Sequence, residues 1–197
     1  MAVLMVFEVP GGTVEQYEHV NEIMGLRDDA DAPAGLIVHF AGVDESGLTI
    51  ADVWESEEAL NRFFDERLGA AIHAAGVEAG PPAVYPVHHL IARGGGGEPS
   101  ALVLFDAPGI STRQYDAMAA RMESHQGPAE SHPASAHVTG VNGDGIVVVD
   151  AWESPDAFMA FAQSQIAPAG EAEGIEPIQP RILRLHNRLR GNVAAAT

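Results

Sequence analysis

Side chains that could support proton transfer recur in this chain, each time 98 positions apart. The pairs are His39 with His137, His88 with His186, Asp52 with Asp150, Tyr17 with Tyr115, and Trp54 with Trp152. A histidine held by a carboxylate can act as a general base that deprotonates a phenol or an enol. We therefore predict that the histidine and aspartate pairs are catalytic, and that the tyrosine and tryptophan pairs bind the substrate.

The aspartates are the most informative members of these pairs, because they lie within apolar strand patterns. In the alternation of a strand, Asp52 shares a face with Ile50 and Trp54. A carboxylate on an apolar face needs a partner, and a histidine on the neighbouring strand is a natural one. The alternative is that these histidines are polar core residues with satisfied hydrogen bonds, and duplication would copy such residues too. His125 and His132 flank a Gly-Pro pair and are predicted to lie in a solvated loop.

The constant spacing reflects an internal duplication that covers nearly the whole chain. The ungapped alignment pairs Phe7–Gly11 with Phe105–Gly109, and Asp52–Ser56 with Asp150–Ser154. We predict a first repeat over 1–93, a second over 101–190, and a flexible tail over 191–197. The four glycines of the intervening segment 94–100, followed by Glu-Pro-Ser, indicate a flexible linker.

Each repeat shows the same order of elements, strand-helix-strand-strand-helix-strand. In the first repeat, Thr13 with Gln16 three residues later is typical of a capping box, and Ser56 precedes two glutamates at the start of the second helix. This order is the ferredoxin-like split βαβ unit. The third strand is apolar on both faces, so its sheet needs a cover. We therefore predict an α+β fold in which the two repeats pack sheet to sheet as one barrel within the chain.

Composition narrows the classes of function. The 197 residues carry a net charge of −18 and no cysteine, which excludes disulfides, thiolate metal sites and a cysteine nucleophile. The acidity disfavours binding to nucleic acid or to an anionic membrane. The apolar runs are only as long as strands, and no P-loop or serine nucleophile elbow is present. The N-terminus is typical of a first strand, so we expect a cytoplasmic protein.

The segment from Val53 to Leu60, repeated from Ala151 to Phe158, resembles the strand-to-helix signature of antibiotic-biosynthesis-monooxygenase-like domains. These domains belong to the dimeric α/β-barrel superfamily, and the resemblance covers nearly all of each repeat. It implies a cofactor-independent monooxygenase or cyclase that acts on an apolar or aromatic, polyketide-like molecule. It also leaves open a non-catalytic ligand-binding or structural protein, so enzymatic activity stays an open question.

A haem-degrading monooxygenase is a further alternative that the resemblance implies. Relatives of that kind carry their ligand histidine late in the second helix, where His73 stands here and Glu171 stands in the second repeat. We predict no cofactor, and a small hydrophobic molecule as the partner. The barrel should be complete in one chain, although a higher oligomer is possible. In the second repeat Arg188 stands where the first has Leu90, and an arginine near His186 would alter the charge of a pocket, so we expect the more apolar first repeat to hold the better site.

Overall fold

The protein is described here by a computed structural model, in which residues 1–122 and 131–191 are defined. The chain forms two compact units. Among the described residues, the first comprises 1–86 and 185–191, and the second comprises 87–122 and 131–184. The end of each repeat thus belongs to the compact unit of the other repeat. His125 and the predicted tail beyond residue 191 lie outside the described residues.

The first repeat contains four strands and a helical run after the third strand. The strands are β1 (Val3–Pro10), β2 (Leu36–Asp44), β3 (Gly47–Trp54) and β4 (Ala83–Ile91), and the helices are α1 (Val14–Met24), α2 (Glu57–Phe63) and α3 (Gly69–Ala74). Thr13 and Gln16 form the predicted capping box at the start of α1, and Gly25 ends the helix in the left-handed conformation. Ser56 caps α2 as predicted, because its side chain accepts a hydrogen bond from the amide of Ala59.

The second repeat has the same order. Its elements are β5 (Ala101–Ala107), α4 (Thr112–Arg121), β6 (Ala136–Asn142), β7 (Gly145–Trp152), α5 (Pro155–Phe161), α6 (Ala167–Ala172) and β8 (Arg181–Arg190). Ser111 with Gln114 forms the second capping box, and Ser154 caps α5. In each unit the apolar face of the helices packs on the sheet and forms the core.

The sheet is antiparallel, and strands β4 and β8 contribute one half to each unit. Val84 on β4 pairs with Met5 on β1, whereas Leu90 on the same strand pairs with Val138 on β6. The hydrogen-bonded order is β1-β3-β2-β8-β5-β7-β6-β4, which closes an eight-stranded barrel within one chain. The predicted α+β fold of two βαββαβ repeats is confirmed.

In each repeat, helix continues beyond α2 and α5 through a π-helical turn into α3 and α6. The π-helical turns span Phe64–Leu68 and Ala162–Ile166, at matched positions in the two repeats.

The glycine-rich segment between the repeats is held by defined contacts. The amides of Gly94 and Gly95 donate to the carbonyls of Ser135 and His132. A Cβ atom on Gly94 would lie 1.8 Å from the carbonyl oxygen of Ala134. Close backbone approach therefore explains the glycines better than a need for flexibility does.

No helix among the described residues is long and apolar enough to cross a membrane. The cytoplasmic location stays a prediction.

Candidate functional site

In the first unit, three of the predicted site residues form a hydrogen-bonded chain. His39 on β2 lies directly opposite Asp52 on β3, and its Nδ1 is 2.7 Å from a carboxylate oxygen of that residue. Its Nε2 is 2.8 Å from the hydroxyl of Tyr17 on α1. The predicted partnership of a strand aspartate with a histidine on the neighbouring strand is thus present.

The amide of Asn187 adds a further hydrogen bond to this chain. Its Nδ2 donates to the oxygen of Tyr17 at 2.8 Å, and an amide nitrogen can only donate. The oxygen of Tyr17 thus lies between Asn187 and Nε2 of His39, while Nδ1 of His39 faces Asp52. Burial raises the pKa of Tyr17 to about 12, so the phenol keeps its proton at neutral pH.

The second unit repeats this chain with shorter distances. His137 on β6 lies opposite Asp150 on β7, with Nδ1 2.6 Å from the carboxylate. The hydroxyl of Tyr115 lies 2.7 Å from Nε2 of His137, and the hydroxyl of Thr139 lies 3.3 Å from the same nitrogen. Burial, with the nearby Asp150 carboxylate adding to the effect, raises the pKa of Tyr115 above its usual value.

In the second unit a histidine stands where the first unit has Asn187. Nδ1 of His89 is 2.8 Å from the hydroxyl oxygen of Tyr115, in the place that Asn187 takes beside Tyr17. The hydroxyl of Tyr115 thus lies between two histidines, His89 and His137. Burial, with His137 nearby, lowers the pKa of His89, which favours its neutral form.

His132 lies in the core, where sequence reasoning expected a solvated loop. The residue is 1% exposed, and its ring packs against His137 with the ring centroids 5.4 Å apart. Its Nδ1 accepts a hydrogen bond from the backbone amide of Ala134 at 3.2 Å. Burial, together with His137, lowers the pKa of His132 to about 4, so the ring is neutral at neutral pH.

Each chain of hydrogen bonds borders a cavity, and the two cavities differ greatly in size. The first has a volume of about 80 Å³ and is lined by Tyr17, His39, Asp52 and Trp54 among apolar side chains. The second has a volume of about 590 Å³, which lies in the range of small-molecule sites. Tyr115, His132, His137 and Asp150 line it, and most of its other wall is apolar. The larger cavity thus lies in the second repeat, whereas the sequence led us to expect the better site in the first.

Smaller side chains stand at two matched positions of the second cavity wall. Ile72 lines the first cavity, and Gly170 stands at the corresponding place in the second. Val9 likewise corresponds to Ala107. The π-helical turn also contributes wall residues to the second cavity, including Ala162 and Ile166.

The remaining predicted residues lie apart from these clusters or in the apolar wall. His88 pairs with Asp116, and His186 pairs with Glu18, each at the protein surface. Neither histidine is among the residues that line the two cavities. Trp54 lines the first cavity, whereas Trp152 packs against Phe158 and Phe161 and lies outside the second cavity's lining.

Sequence reasoning missed three site residues for two different reasons. Asn187 and His89 were noticed only as places where the repeats diverge, although each touches the tyrosine hydroxyl. They follow His186 and His88 in sequence, and alternation along a strand turns them to the opposite face. His132 was missed because Ala34 occupies its place in the first repeat, so the duplication carries no signal for it.

The residues around His73 do not fit a haem held by that histidine. His73 is exposed on α3 and is not among the residues that line the first cavity. A cavity of about 80 Å³ also cannot accommodate a macrocycle. Within residues 1–122 and 131–191, no cluster of three or more histidine or carboxylate side chains is arranged to hold a metal ion.

Solved structures share this fold over the whole chain, although no protein-family model and no functionally curated sequence matches it. A candidate monooxygenase from Fusobacterium nucleatum subsp. nucleatum aligns with a TM-score of 0.67 and 12% identity, over 96% of this chain and 93% of that chain. A candidate monooxygenase from Lactobacillus acidophilus gives 0.67 and 12%, over 96% of both chains. An anthrone oxidase-like protein gives 0.50 and 18%, over 100% of this chain and 96% of that chain.

These similarities extend across both repeats, since each alignment covers more than nine-tenths of the two chains. At such low identity they establish the fold and leave the chemistry to the site itself. The protein thus shares the fold of these solved structures, with both copies of the ferredoxin-like unit in one polypeptide.

Proposed function

We propose that the protein is a small-molecule oxygenase that works without a bound cofactor and whose active site is the cavity of the second unit. The observation that carries this proposal is the chain from Asp150 through His137 to Tyr115 on the wall of an apolar cavity of about 590 Å³. An apolar cavity with a few converging polar groups is the usual form of a small-molecule site. The candidate monooxygenases of the same fold support the class of reaction.

The geometry supports general-base chemistry on an enol or a phenol. The substrate hydroxyl would give its proton to the oxygen of Tyr115 while the hydrogen of Tyr115 moves to Nε2 of His137. The resulting imidazolium is stabilised by Asp150, which accepts from Nδ1 at 2.6 Å. One proton is transferred in total, and the tyrosine ends the step as a neutral phenol.

Molecular oxygen would then be the second substrate and the only oxidant. The deprotonated substrate carbon forms a bond to one oxygen atom, and the second oxygen atom leaves as water. For an activated CH₂ group the balance is CH₂ plus O₂ giving C=O plus H₂O. The apolar wall suits an aromatic, polyketide-like molecule because it excludes water from the carbanion. A cyclase would use the same base without consuming oxygen.

Oxygen uptake with anthrone and 1-naphthol as probes tests the proposal, with the products identified by mass spectrometry. We expect H137A and D150N to lower the rate by roughly 10²-fold or more, which is typical of the loss of a general base. H39A removes the matched histidine beside the small cavity and should leave the rate within about twofold. Saturable binding without turnover would favour the non-catalytic alternative, and loss of turnover in H39A but not in H137A would move the site to the first unit.

A further inference from the structure

His89 is the member of the second unit's hydrogen-bonded chain that the proposed base mechanism leaves without a role. Its Nδ1 is 2.8 Å from the hydroxyl oxygen of Tyr115, which also lies 2.7 Å from Nε2 of His137. A single hydroxyl therefore bridges two imidazoles. The chain runs from Asp150 through His137 and Tyr115 and ends at His89.

The two ends of this chain differ in their exposure to solvent. Asp150, His137 and Tyr115 are buried, with at most 5% of their surface exposed, whereas His89 is only partly buried. The described lining of the second cavity includes the three buried residues but not His89. His89 thus contacts Tyr115 from outside the cavity, at the end of the chain that is exposed to solvent.

Strand pairing holds His89 in this position. The residue lies opposite Thr139 in the antiparallel pairing of β4 with β6, just after the shift of register between Val87 and His89. Thr139 is fully buried, and its hydroxyl lies 3.3 Å from Nε2 of His137. The two cross-strand neighbours therefore place their side chains on the same face of the sheet, one beside Tyr115 and the other beside His137.

The first unit has an amide where the second has this imidazole. Nδ2 of Asn187 donates to the hydroxyl of Tyr17 at 2.8 Å, so both side chains reach their tyrosine at the same distance. An amide binds the hydroxyl but has no titratable nitrogen, whereas a neutral imidazole takes up a proton on one nitrogen and releases one from the other. The titratable group accompanies the cavity of about 590 Å³, and the amide accompanies the cavity of about 80 Å³.

We propose that His89 is a proton-relay residue that connects the buried base of the second unit with solvent. After the substrate has been deprotonated, the hydroxyl hydrogen of Tyr115 passes to Nδ1 of His89 while the Nε2 hydrogen of His137 returns to the tyrosine oxygen. His89 then releases one proton to water, so that one proton leaves the site and His137 is neutral again. Burial, with His137 nearby, lowers the pKa of His89, which favours this release. This inference rests on the proposed function and adds the path by which its proton is exchanged.

A relay and a purely positioning role for His89 have different consequences for the substrate. Without oxygen, a base connected with solvent exchanges the acidic hydrogens of the substrate for deuterium from D₂O, whereas an isolated base returns the same hydrogen. With oxygen, both hydrogens of the CH₂ group end in the water that is formed, so turnover is complete without a proton from solvent. Loss of the relay should therefore slow the exchange much more than the oxygen uptake.

Anthrone in buffered D₂O under nitrogen provides the test, with deuterium at its CH₂ group followed by NMR and the rate in buffer alone subtracted. We expect H89N, which copies the amide of the first unit, to slow the exchange by roughly tenfold or more and to leave oxygen uptake within about threefold. H89Q is a second variant without a titratable nitrogen, and thermal melts check that both variants fold. H186A removes a surface histidine of the first unit that pairs with Glu18, and it should leave both rates within about twofold.

Three results would overturn the inference and leave the proposed function standing, as long as oxygen uptake depends on His137. They are wild-type exchange in H89N, an equal loss of exchange and oxygen uptake in that variant, and exchange by the wild type no faster than in buffer although the wild type oxidises anthrone. If the wild type neither exchanges nor oxidises anthrone, the proposed function fails together with the inference.

Discussion

Filling the second cavity should make the protein more stable and less able to bind its ligand. Gly170 lies buried in α6 on the cavity wall, and Ile72 is the matched residue beside the first cavity. A Cβ atom on Gly170 would have its nearest neighbours at 3.8 Å and 3.9 Å, which is ordinary contact. We therefore expect G170I to fold without backbone strain and to bring the second cavity, now about 590 Å³, closer to the first at about 80 Å³.

The size of the stability gain follows from two terms. Replacing glycine by isoleucine in a helix favours the folded state by about 0.5 kcal/mol. Full burial of the side chain would add about 1.5–3 kcal/mol, from which any overpacking is subtracted. A net gain of about 1–3 kcal/mol corresponds to a rise in Tm of roughly 2–10 °C for a protein of this size.

Calorimetry and binding of 4-nitro-1-naphthol, on the same preparations, would measure both effects. The matched control is I72G, which enlarges the first cavity and should cost about 3–5 kcal/mol in stability. It should leave binding in the second unit unchanged. A lower Tm for G170I would refute the argument that isoleucine fills the cavity without strain. An unchanged ligand affinity together with a higher Tm would refute the view that the second cavity is the binding site.

Two further predictions concern the histidines. H137A leaves the buried Asp150 and Tyr115 without their partner and should destabilise the protein by about 1–3 kcal/mol, whereas H88A removes a surface pair with Asp116 and should cost about 1 kcal/mol or less. Urea unfolding measures the loss of stability in each variant, and equal losses would contradict the conclusion that His137 is buried and His88 lies at the surface. The pKa of His132 is about 4 in the folded protein and 6.5 as its ordinary value, so the unfolded chain binds the extra proton first. The free energy of unfolding should therefore fall as the pH drops from about 6.5 to 4. H132Q should lack this part of the pH dependence, as measured by urea unfolding across that range.

Local rules made the fold of each repeat predictable. Thr13 and Ser56 mark helix starts because their side chains satisfy the first free amides, and such caps depend only on nearby sequence. The alternation along β3 placed Asp52 on the face of Ile50 and Trp54, and all three line the first cavity. The pairing of Asp52 with His39 followed from the same alternation, because a buried carboxylate needs a partner within reach of its own strand.

The difference between the two halves was decided by the tertiary structure. His89 and Asn187 reach their tyrosines because the ends of β4 and β8 belong to the opposite compact units, a pairing set by long-range hydrogen bonds that no local pattern encodes. His132 is buried by segments that are distant in sequence, including the glycine-rich stretch that packs against its loop. The volume of a cavity depends on the sum of many wall positions, of which Gly170 in place of Ile72 is one. Sequence therefore determined which side chains could form the two hydrogen-bonded chains. Packing in three dimensions decided which of these chains borders a cavity large enough for a ligand.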